Sequence, residues 1–373
     1  MTYLDNAATT LMKPPEVAAK VKHALENMSS PGRGQYKYAD LADQTVFACR
    51  QAASELFHMD NPENVVITFN ATHALNMAIN TCVPKGGKAI ISGYEHNAVT
   101  RPLHALEADV TTVDSPLFDR NAAICGFREA ITANADAVIC TAVSNVFGYA
   151  LPIYEIAEIC REKDVPLIID ASQAAGVLDL DFTRLNAEFT AMPGHKSLYG
   201  MQGTGLLLCR SSVEPFIHGG TGSDSRNAAM PPFLPDAGEA GTHNMPGIAG
   251  LCAGLNFVKK KTPQKIAAYE KKLAVQTCRK LSELDRITVF CDKSFENQTG
   301  VVSFTIDGMD SVVAAEKLAD AGICVRAGMH CAPLAHETAG TVDTGTVRVS
   351  FSAFNTMRDV ERLLYALGKI VRA

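Results

Sequence analysis

The sequence predicts an α/β fold in which a mainly parallel sheet is covered by helices on both faces. Two observations lead to this prediction. Between residues 65 and 209, short apolar runs of strand length alternate with helical patterns, which is typical of βαβ units. After residue 209 the alternation ends and a stretch rich in glycine, proline and polar residues begins. We therefore expect a large α/β domain followed by a smaller α+β domain, which a chain of 373 residues is long enough to form.

The predicted elements of the larger region follow one another closely. Pro14 and Pro15 open a first helix, because proline suits the first helical turn. A loop at residues 29–34 precedes a second helix that extends to about Phe57. Apolar runs then predict strands at residues 65–69, 88–92, 109–113, 137–141, 167–170, 188–191 and 205–209. Helices are predicted between them at residues 72–82, 97–107, 122–134 and 152–163.

The C-terminal region is predicted to mix helices and strands. Helices are predicted at residues 246–261, 263–284, 311–321 and 357–370, and strands at residues 287–290, 301–306, 323–326 and 347–350. The polar stretch at residues 219–245 is longer than a simple connection, which favours a functional role. We predict three parts: residues 1–15 packing with the small domain, residues 16–255 as the large domain, and residues 256–373 as the small domain.

Composition and charge argue against several classes of function. A net charge of −6 gives no reason to expect binding to nucleic acid or to an anionic membrane surface. No apolar stretch approaches the roughly 20 residues that span a bilayer, and the N-terminus lacks the pattern of a signal peptide, so we expect a cytoplasmic protein. Eleven scattered cysteines without a C-x-x-C pair favour neither a disulfide framework nor a structural metal site.

The chemistry is predicted around Asp170 and Lys196. Asp170 ends an apolar run, and Lys196 lies between Gly194 and Gly200 where a short strand ends. A lysine held among small residues at the rim of an apolar sheet loses solvation, so its pKa falls and its amine can form a Schiff base with an aldehyde. Pyridoxal phosphate needs such a lysine, and an acid that keeps its pyridine nitrogen protonated. A capping aspartate and a solvated loop lysine remain the alternative for these two residues alone.

Further polar residues follow predicted strands. Ligands of parallel sheets bind at the carboxyl ends of strands, and the residues predicted there are Thr72, His96, Asn145, Asp170 and Lys196. The Thr72 hydroxyl and the helix N-terminus behind it suit a phosphate, although a plain helix cap is equally consistent. The His96 ring suits the face of a cofactor, while a histidine that is merely hydrogen-bonded is the alternative. Asn145 and Gln173 offer amide donors to a phenolic oxygen.

Several short motifs occur in a fixed order along the chain. They are Leu4-Asp5-Asn6-Ala7-Ala8-Thr9-Thr10, Glu95-His96, Ser144-Asn145-Val146-Phe147-Gly148, Asp170-Ala171-Ser172-Gln173-Ala174, Gly194-His195-Lys196, Glu239-Ala240-Gly241-Thr242-His243-Asn244 and Arg326-Ala327-Gly328-Met329-His330-Cys331-Ala332-Pro333. Together they resemble the signature of class V pyridoxal-phosphate enzymes, above all the cysteine desulfurases and selenocysteine lyases, with a group II-like cysteine loop. The resemblance extends from Leu4 to Asn355 and implies a homodimeric fold-type-I pyridoxal-phosphate transferase with a seven-stranded type of sheet.

The resemblance implies a role for each matching residue. Lys196 is the lysine that binds the cofactor, Asp170 is the partner of the pyridinium nitrogen, and His96 stacks on the ring with a proton-transfer role. Gln173 and Asn145 face the phenolic oxygen. The implied phosphate ligands are Thr72, His73, His195 and Thr221 of the partner subunit. The implied substrate contacts are Arg348, which clamps the carboxylate with its planar fork, and Asn145, Ala8 and Arg326.

Cys331 lies in a loop rather than in an apolar run. An arbitrary cysteine is expected in a core, but the loop and the resemblance to group II enzymes favour a catalytic nucleophile. A zinc site formed by His330, Cys331 and His336 is the less favoured interpretation. We therefore expect no metal.

The implied reaction removes sulfur from L-cysteine, giving L-alanine and a persulfide on Cys331 that an acceptor protein would receive. Selenocysteine lyase is an alternative that shares every residue named above. A class V aminotransferase is a second alternative, and it would not use Cys331. A cofactor-binding regulator without enzymatic activity would be favoured by an added interaction module. Met329 and Pro193 stand where the family usually has a histidine and a serine, which weakens the substrate assignment more than the cofactor assignment.

Overall fold

A central sheet organises the computed structural model, which describes residues 1–32, 34–223 and 226–372. In chain order the strands are β1 (Thr2–Tyr3), β2 (Val65–Thr68), β3 (Lys88–Ser92), β4 (Asp109–Val113), β5 (Ala137–Thr141), β6 (Leu167–Asp170), β7 (Phe189–Pro193), β8 (Gly205–Cys209), β9 (Ile287–Phe290), β10 (Val301–Ile306), β11 (Ile323–Cys324), β12 (Arg326–Gly328) and β13 (Thr346–Ser350). The α-helices are α1 (Pro15–Asn27), α2 (Lys37–Leu56), α3 (Ala71–Cys82), α4 (Asn97–Ala105), α5 (Arg120–Ala130), α6 (Ile153–Lys163), α7 (Phe182–Leu185), α8 (Met245–Lys261), α9 (Pro263–Leu281), α10 (Ser311–Asp320), α11 (Pro333–Ala339) and α12 (Met357–Ile370).

Seven of the described strands form the central sheet, in the order β2-β8-β7-β6-β5-β3-β4. Strand β8 runs antiparallel to its neighbours β2 and β7, and the remaining neighbours are parallel to each other. The prediction of a mainly parallel sheet is confirmed. Because the parallel strands share one direction, the carboxyl ends of β2, β3, β5, β6 and β7 meet at one edge of the sheet.

Both faces of the central sheet are buried. In β5, Val138 and Cys140 belong to one apolar core, whereas Ala137 and Ile139 belong to the other. Helices α3 and α4 contribute to one core, and α2, α6 and α8 contribute to the opposite one. Neighbouring residues of a strand point to opposite faces, so a strand covered on both sides is apolar throughout. This explains why short apolar runs, rather than alternation, predicted the strands.

A second sheet has the order β12-β13-β10-β9 in the described part of the chain, and its pairs are antiparallel. Its core gathers residues of α9, α10 and α12, together with Leu4 from the N-terminal segment. This agrees with the predicted α+β character of the C-terminal region. None of the described helices carries an apolar stretch long enough to cross a membrane.

The predicted strand at residues 323–326 is wrong as a single element. Strand β11 pairs in parallel with β1, whereas β12 pairs antiparallel with β13, so the chain changes partners at Val325. Sequence analysis also missed β1 and the short helices α7 and α11. Elements of two to seven residues are too short to show a clear hydrophobic period.

Most of the other bounds differ from the prediction by a few residues. Helix α5 begins at Arg120 rather than at residue 122 because Asp119 caps it, its Oδ1 accepting the N–H of Ala122 at 2.9 Å. Helix α8 continues through the predicted domain boundary between residues 255 and 256, and Thr262 separates it from α9. The division into three parts stays a prediction, and we propose that its second boundary lies at Thr262.

Candidate active site

A cavity opens at the edge of the central sheet where the parallel strands end. It encloses about 520 Å³ including its mouth. Strand β6 ends there with Asp170, and β7 leads there into the loop that carries Lys196. The predicted site residues that line the cavity are Thr72, His96, Asn145, Asp170, Gln173, His195 and Lys196. The fold therefore brings together side chains that sequence analysis selected from separate motifs.

Lys196 presents a largely buried amine to this cavity. Burial lowers the pKa of Lys196 to about 8, and the positive charges of Arg348 and Arg326 act in the same direction. The carboxylate of Asp170 opposes them. The direction of this shift is the one expected for a catalytic amine, and the role of Lys196 stays a prediction. Because much of the amine is neutral near pH 8, it can attack an aldehyde.

Asp170 places a carboxylate at the buried end of the cavity. Its side chain is 2% exposed, and its Oδ1 accepts the N–H of Ser172 at 2.8 Å. Its backbone pairs with Thr141 on β5, so the orientation of the carboxylate depends on the register of two central strands. This rigid placement suits an acid that must meet one ring nitrogen.

The peptide that precedes Lys196 is held by the N-terminal segment. The carbonyl oxygen of His195 accepts hydrogen bonds from the Thr10 N–H (3.2 Å), the Thr10 hydroxyl (3.0 Å) and the Lys13 ammonium (2.8 Å). The His195 ring is hydrogen-bonded to the Thr9 hydroxyl at 3.0 Å. Burial, Lys196 and Lys13 lower the pKa of His195 to about 4, so this ring is neutral at physiological pH.

His96 lies at the start of α4 with its ring on the cavity wall. Its Nδ1 accepts the N–H of Ala98 at 3.0 Å, so the proton of the neutral ring is on Nε2. Burial lowers the pKa of His96, and the positive charges of Lys196, Arg326 and Arg101 act in the same direction, whereas Asp170 opposes them. A neutral ring with one free N–H can stack on a cofactor and can exchange a proton.

Thr72 and His73 occupy different environments although they are adjacent. Asn70 caps α3, its Oδ1 accepting the N–H of His73 at 2.8 Å. Thr72 is therefore not the cap of the helix, and it lines the cavity instead. The His73 ring instead stacks on Phe69 at 4.8 Å between ring centroids, and its Nδ1 accepts the Phe69 N–H. The structure does not bring the His73 side chain to the cavity wall.

The two predicted amide donors already have partners in the protein. Asn145 donates from Nδ2 to the carbonyl oxygen of His330 at 2.8 Å. Gln173 donates from Nε2 to the carbonyl oxygen of Ala7 at 3.0 Å. Each side chain thus links the cavity to another segment: Asn145 to the Cys331 loop, and Gln173 to the stretch that contains Ala8.

Two arginines lie side by side behind the cavity. Arg326 of β12 pairs with Arg348 of β13 in the register of the second sheet. Arg348 is 1% exposed, and it donates to Asp5 Oδ1 at 2.7 Å and to the carbonyl oxygen of Asn145 at 2.9 Å. Its Nε has no partner among the described residues. Two neighbouring cations, of which Arg348 alone is paired with the Asp5 carboxylate, leave a positive potential that favours an anionic ligand.

Cys331 lies at the rim, in a groove that continues from the cavity. The groove is lined by Cys331 and by Thr72, His96 and Ala98, which also line the cavity. The Cys331 side chain is exposed, and its Sγ lies 3.5 Å from Nη2 of Arg326. The Cys331 carbonyl oxygen accepts the Asn97 N–H at 2.8 Å. The thiol is therefore accessible from solvent and is connected to the Lys196 cavity.

The zinc interpretation has no support in the described part of the chain, where no three potential ligands cluster. The His330 ring is directed to Thr346 and the His336 ring to Thr341. Thr221 does not line the cavity; its hydroxyl is hydrogen-bonded to that of Ser223 at 3.1 Å. Its implied contribution from the partner subunit stays a prediction.

Sequence analysis did not select several residues that the structure places at the site. Thr141 and Ser172 line the cavity, and both follow or end a predicted strand, so their positions offered a signal. Lys13 offered none, and Glu95, although part of the Glu95-His96 motif, was not selected because its importance depends on the tertiary contacts described here. Asp5 belongs to a motif, but its contact with Arg348 joins residues 343 positions apart.

The fold and the site together define a class of protein: a lysine and an aspartate meet at the carboxyl edge of a mainly parallel sheet, with an exposed cysteine beside them. The model of the family described as "Aminotransferase class-V" matches residues 2–363. The chain belongs to the class-V aminotransferase family, as the order of motifs predicted.

Related sequences and solved structures share most of their length with the chain. It is 30% identical over 99% of its length to a probable cysteine desulfurase of Methanothermobacter thermautotrophicus, covering 94% of that protein. It is 28% identical to a probable cysteine desulfurase of Pyrococcus abyssi, over 100% of this chain and 94% of the other. The apo structure of a cysteine desulfurase from Thermococcus onnurineus NA1 superimposes with a TM-score of 0.91 at 27% identity, over 100% of this chain and 94% of that one.

Proposed function

We propose that this protein is a cysteine desulfurase, the activity for which its relatives are named, and that it uses pyridoxal phosphate. One observation carries the proposal: the cavity of the Lys196 amine continues into the groove that holds the exposed Cys331 thiol. This continuity supports a site in which an amine that binds an aldehyde and a thiol that accepts sulfur act on one substrate.

The residues present fit this cofactor. The Lys196 amine suits its aldehyde, the Asp170 carboxylate its pyridinium nitrogen, and the neutral His96 ring its face. The first turn of α3 has amides without intrahelical acceptors, which together with the Thr72 hydroxyl suit a phosphate. When bound, pyridoxal phosphate supplies an electron sink that stabilises negative charge on the carbon atoms of an amino acid.

Lys196 and His96 are the candidates for proton transfer. The pKa of Lys196 is about 8, close to the value at which a group both takes and returns a proton efficiently near neutral pH. We assign removal of the substrate's α proton to Lys196 Nζ. His96 carries its proton on Nε2 because Nδ1 is occupied by the Ala98 N–H, and it can move that proton at the cavity wall.

Arg326 and Arg348 are the candidates for binding the substrate carboxylate. Arg348 uses two of its five N–H donors for Asp5 and the Asn145 carbonyl, and its Nε has no partner among the described residues, so donors remain for a ligand. Arg326 is half-buried and lies beside Cys331 Sγ. A carboxylate held between the two guanidinium groups would direct the substrate's side chain toward the cysteine loop.

The Cys331 thiolate completes the reaction by accepting sulfur. Its Sγ attacks the substrate's sulfur, a sulfur–sulfur bond forms, and the bond from the substrate's Cβ to sulfur breaks. The electron pair of that bond stays with Cβ, which takes up a proton and becomes the methyl group of alanine. The products are a persulfide on Cys331 and L-alanine, with no external oxidant or reductant.

Two other enzyme activities use the same residues. A selenocysteine lyase would release selenide from L-selenocysteine, and a class V aminotransferase would not need Cys331. The relatives described above are named as cysteine desulfurases, and the exposed thiol beside the cavity has no use in transamination. Neither alternative is favoured by an observation of its own.

The proposed function is tested by the product formed from three substrates. Purified protein loaded with pyridoxal phosphate is incubated separately with L-cysteine, L-selenocysteine and cysteine sulfinate, and alanine is quantified in each. We expect alanine and sulfide from cysteine in the presence of a thiol reductant. Alanine release from selenocysteine alone would replace the proposal with selenocysteine lyase, and keto acid formation without alanine would replace it with transamination.

We also infer that a second copy of the chain completes the site. Phe69 and Phe216 are 51% and 44% exposed and flank the His73 ring, directly beside Thr72 at the cavity. His73 Nε2 is buried without a partner among the described residues. An exposed aromatic patch at the edge of a site is typical of an interface, and a second copy would bring Thr221 of the partner subunit to the phosphate.

Phe69→Glu should break this interface. We expect the dimer to dissociate in analytical ultracentrifugation and the affinity for pyridoxal phosphate to fall by about 10-fold or more, because a charge in the core of an interface is strongly destabilising. Tyr365→Glu, at a residue that is 68% exposed on α12, is the control and should change neither quantity. A fully active wild-type monomer would refute the composite site.

Transfer of the persulfide to an acceptor protein follows from this chemistry as a proposal, because a persulfide on an accessible loop is available to another thiol. The cytoplasmic location and the lack of nucleic-acid binding stay predictions from composition.

A further inference from the structure

Glu95 is an acid buried next to the cavity without a role in the reaction proposed above. It lies between the end of β3 and the start of α4, directly before His96. Its side chain is 0% exposed. A buried carboxyl group destabilises a fold unless it is neutral or paired. The hydrogen bonds and charges around Glu95 therefore indicate its role.

Only one of the two carboxyl oxygens of Glu95 has donors. Oε1 accepts the backbone N–H of Thr141 at 2.7 Å and the hydroxyl of Ser92. Oε2 is buried and has no partner in the described part of the chain. An ionised carboxylate would expose an unpaired negative oxygen to apolar surroundings, whereas a neutral acid carries its proton on that oxygen at much lower cost.

The ionisable groups that face Glu95 favour its neutral form. Burial raises the pKa of Glu95 to about 8, the hydrogen bonds from Ser92 and Thr141 oppose this, and the negative charge of Asp170 on β6 reinforces it. Cys140 on β5 is the other titratable neighbour, and burial raises its pKa well above the ordinary value, so it carries no charge. Glu95 is therefore protonated at neutral pH.

Glu239 shows that burial alone does not impose this state. It is 7% exposed, yet it forms a bidentate pair with Arg50 at 2.7 and 2.6 Å and lies 3.1 Å from His243 Nε2. These partners outweigh burial and lower its pKa. Glu95 has no such cation among the residues that the structure describes, so these two buried glutamates hold opposite protonation states.

The bonds of Glu95 connect three parts of the site. Thr141 ends β5, lines the cavity and pairs in register with Asp170, and the Ala142 N–H donates to the Asp170 carbonyl at 2.9 Å. His96 follows Glu95 in the chain. We propose that Glu95 is a positioning residue that, as a neutral acid, ties the end of β5, and through it the backbone of Asp170, to the loop of His96.

This proposal deepens the proposed function and rests on it, because Asp170 is the proposed partner of the pyridinium nitrogen. When Glu95 loses its proton, the charge falls on a buried Oε2 that has no donor among the described residues, which destabilises the bonds that hold the end of β5. We therefore expect the hold on the cofactor to weaken when Glu95 loses its proton, as the pH rises through about 8.

Infrared spectroscopy of the cofactor-free protein tests the protonation state directly. A protonated carboxyl group has a C=O stretch distinct from that of a carboxylate, and Glu95→Gln should remove one such band that titrates near pH 8. Glu270→Gln is the matched control: Glu270 is 4% exposed, burial raises its pKa to about 8, and it accepts from the Tyr199 hydroxyl at 3.4 Å. That variant should remove a different band and leave the Glu95 band in place.

The visible spectrum of the protein with bound pyridoxal phosphate tests the positioning role. We expect the absorption band of the cofactor bound to wild type to shift as the pH rises through about 8. The part of this shift that comes from loss of the Glu95 proton should be absent in Glu95→Gln, because glutamine has no such proton to lose. Glu95→Ala leaves the Thr141 N–H unpaired and should weaken cofactor binding by about 10-fold or more. Glu95→Gln retains an acceptor for that N–H and should bind within about 3-fold of wild type.

Each result decides a separate claim. If the spectrum of the Glu270→Gln variant contains no protonated carboxyl band, Glu95 is not a neutral acid. This result is decisive even if Glu95→Gln fails to fold. Unchanged cofactor affinity in Glu95→Ala overturns the positioning role. If the infrared and binding results hold but cysteine yields no alanine, the proposed function fails and the assignment of Glu95 stands.

Discussion

The Lys196 side and the Cys331 side of the site differ in how firmly the protein holds them. The peptide before Lys196 is bound by Thr10 and Lys13, and the amine of Lys196 is largely buried. Cys331 is exposed on a loop in which both His330 and Cys331 have positive φ, 50° and 57°, a conformation that costs energy in residues other than glycine. Cofactor binding requires a fixed amine, whereas sulfur transfer requires a thiol that can reach both substrate and acceptor. The two tasks should therefore separate on mutation.

Lys196→Ala removes the amine on the rigid side and should have the largest effect. We expect activity to fall by about 1,000-fold or more and the visible absorption of bound cofactor to disappear on dialysis, because the covalent link is lost. In wild type, borohydride reduction should attach the cofactor to the peptide that contains Lys196. A tag found by mass spectrometry on another lysine would refute the site.

Cys331→Ser tests the accessible side and should leave the rigid side intact. We expect sulfur release from cysteine to fall by about 100-fold or more, since a covalent nucleophile is removed. The variant should keep bound cofactor, and its spectrum should still shift when cysteine is added. Selenocysteine is expected to be affected less, because selenium leaves with less help.

Cys125 provides the control for that experiment because it is the other exposed cysteine of the described chain. Cys125→Ser should turn over cysteine at the wild-type rate. Mass spectrometry of wild type after brief exposure to cysteine should find one added sulfur on the Cys331 peptide. Added sulfur on Cys125, or full activity in Cys331→Ser, would refute Cys331 as the acceptor of sulfur.

Arg348→Lys tests the region between the two sides. Lysine keeps the charge but loses the planar fork, so we expect KM for cysteine to rise by about 10-fold or more with a smaller change in kcat. Arg128→Lys is the control, since Arg128 forms an exposed pair with Glu162. If KM is unchanged and kcat alone falls, Arg348 supports the fold through Asp5 and does not bind the carboxylate.

A change in the pH dependence of the Lys196 reaction should be the smallest of these effects and the most specific to one residue. In the cofactor-free protein, trapping of a simple aldehyde at Lys196 should increase as the pH rises through about 8, because only the deprotonated amine attacks. Asp170→Asn removes the charge that raises this pKa, so the midpoint should move to lower pH. Lys13, whose pKa burial alone lowers to about 8, should keep its midpoint in the same variant. A Lys196 midpoint that does not move would contradict the electrostatic contact with Asp170.

The central sheet and the main chemical residues could be predicted because their signals are local. Strands buried on both faces are short apolar runs, and Asp170 and Lys196 stand where two such runs end. A ligand site at the carboxyl ends of parallel strands then follows from topology. Thr72, His96 and Asn145 were predicted for the same reason, and the cavity contains them.

Other features could be seen only in the tertiary structure, because they depend on which distant segments meet. The antiparallel direction of β8 and the pairing of β1 with β11 are set by long-range contacts. The contact of Lys13 with the His195 carbonyl, the pairing of Arg326 with Arg348, and the opposite protonation states of Glu95 and Glu239 have no local pattern. A residue's type and its neighbours in the chain determined what chemistry it could perform. Burial and the charges brought near it by folding decided its pKa, and hence which proton it holds.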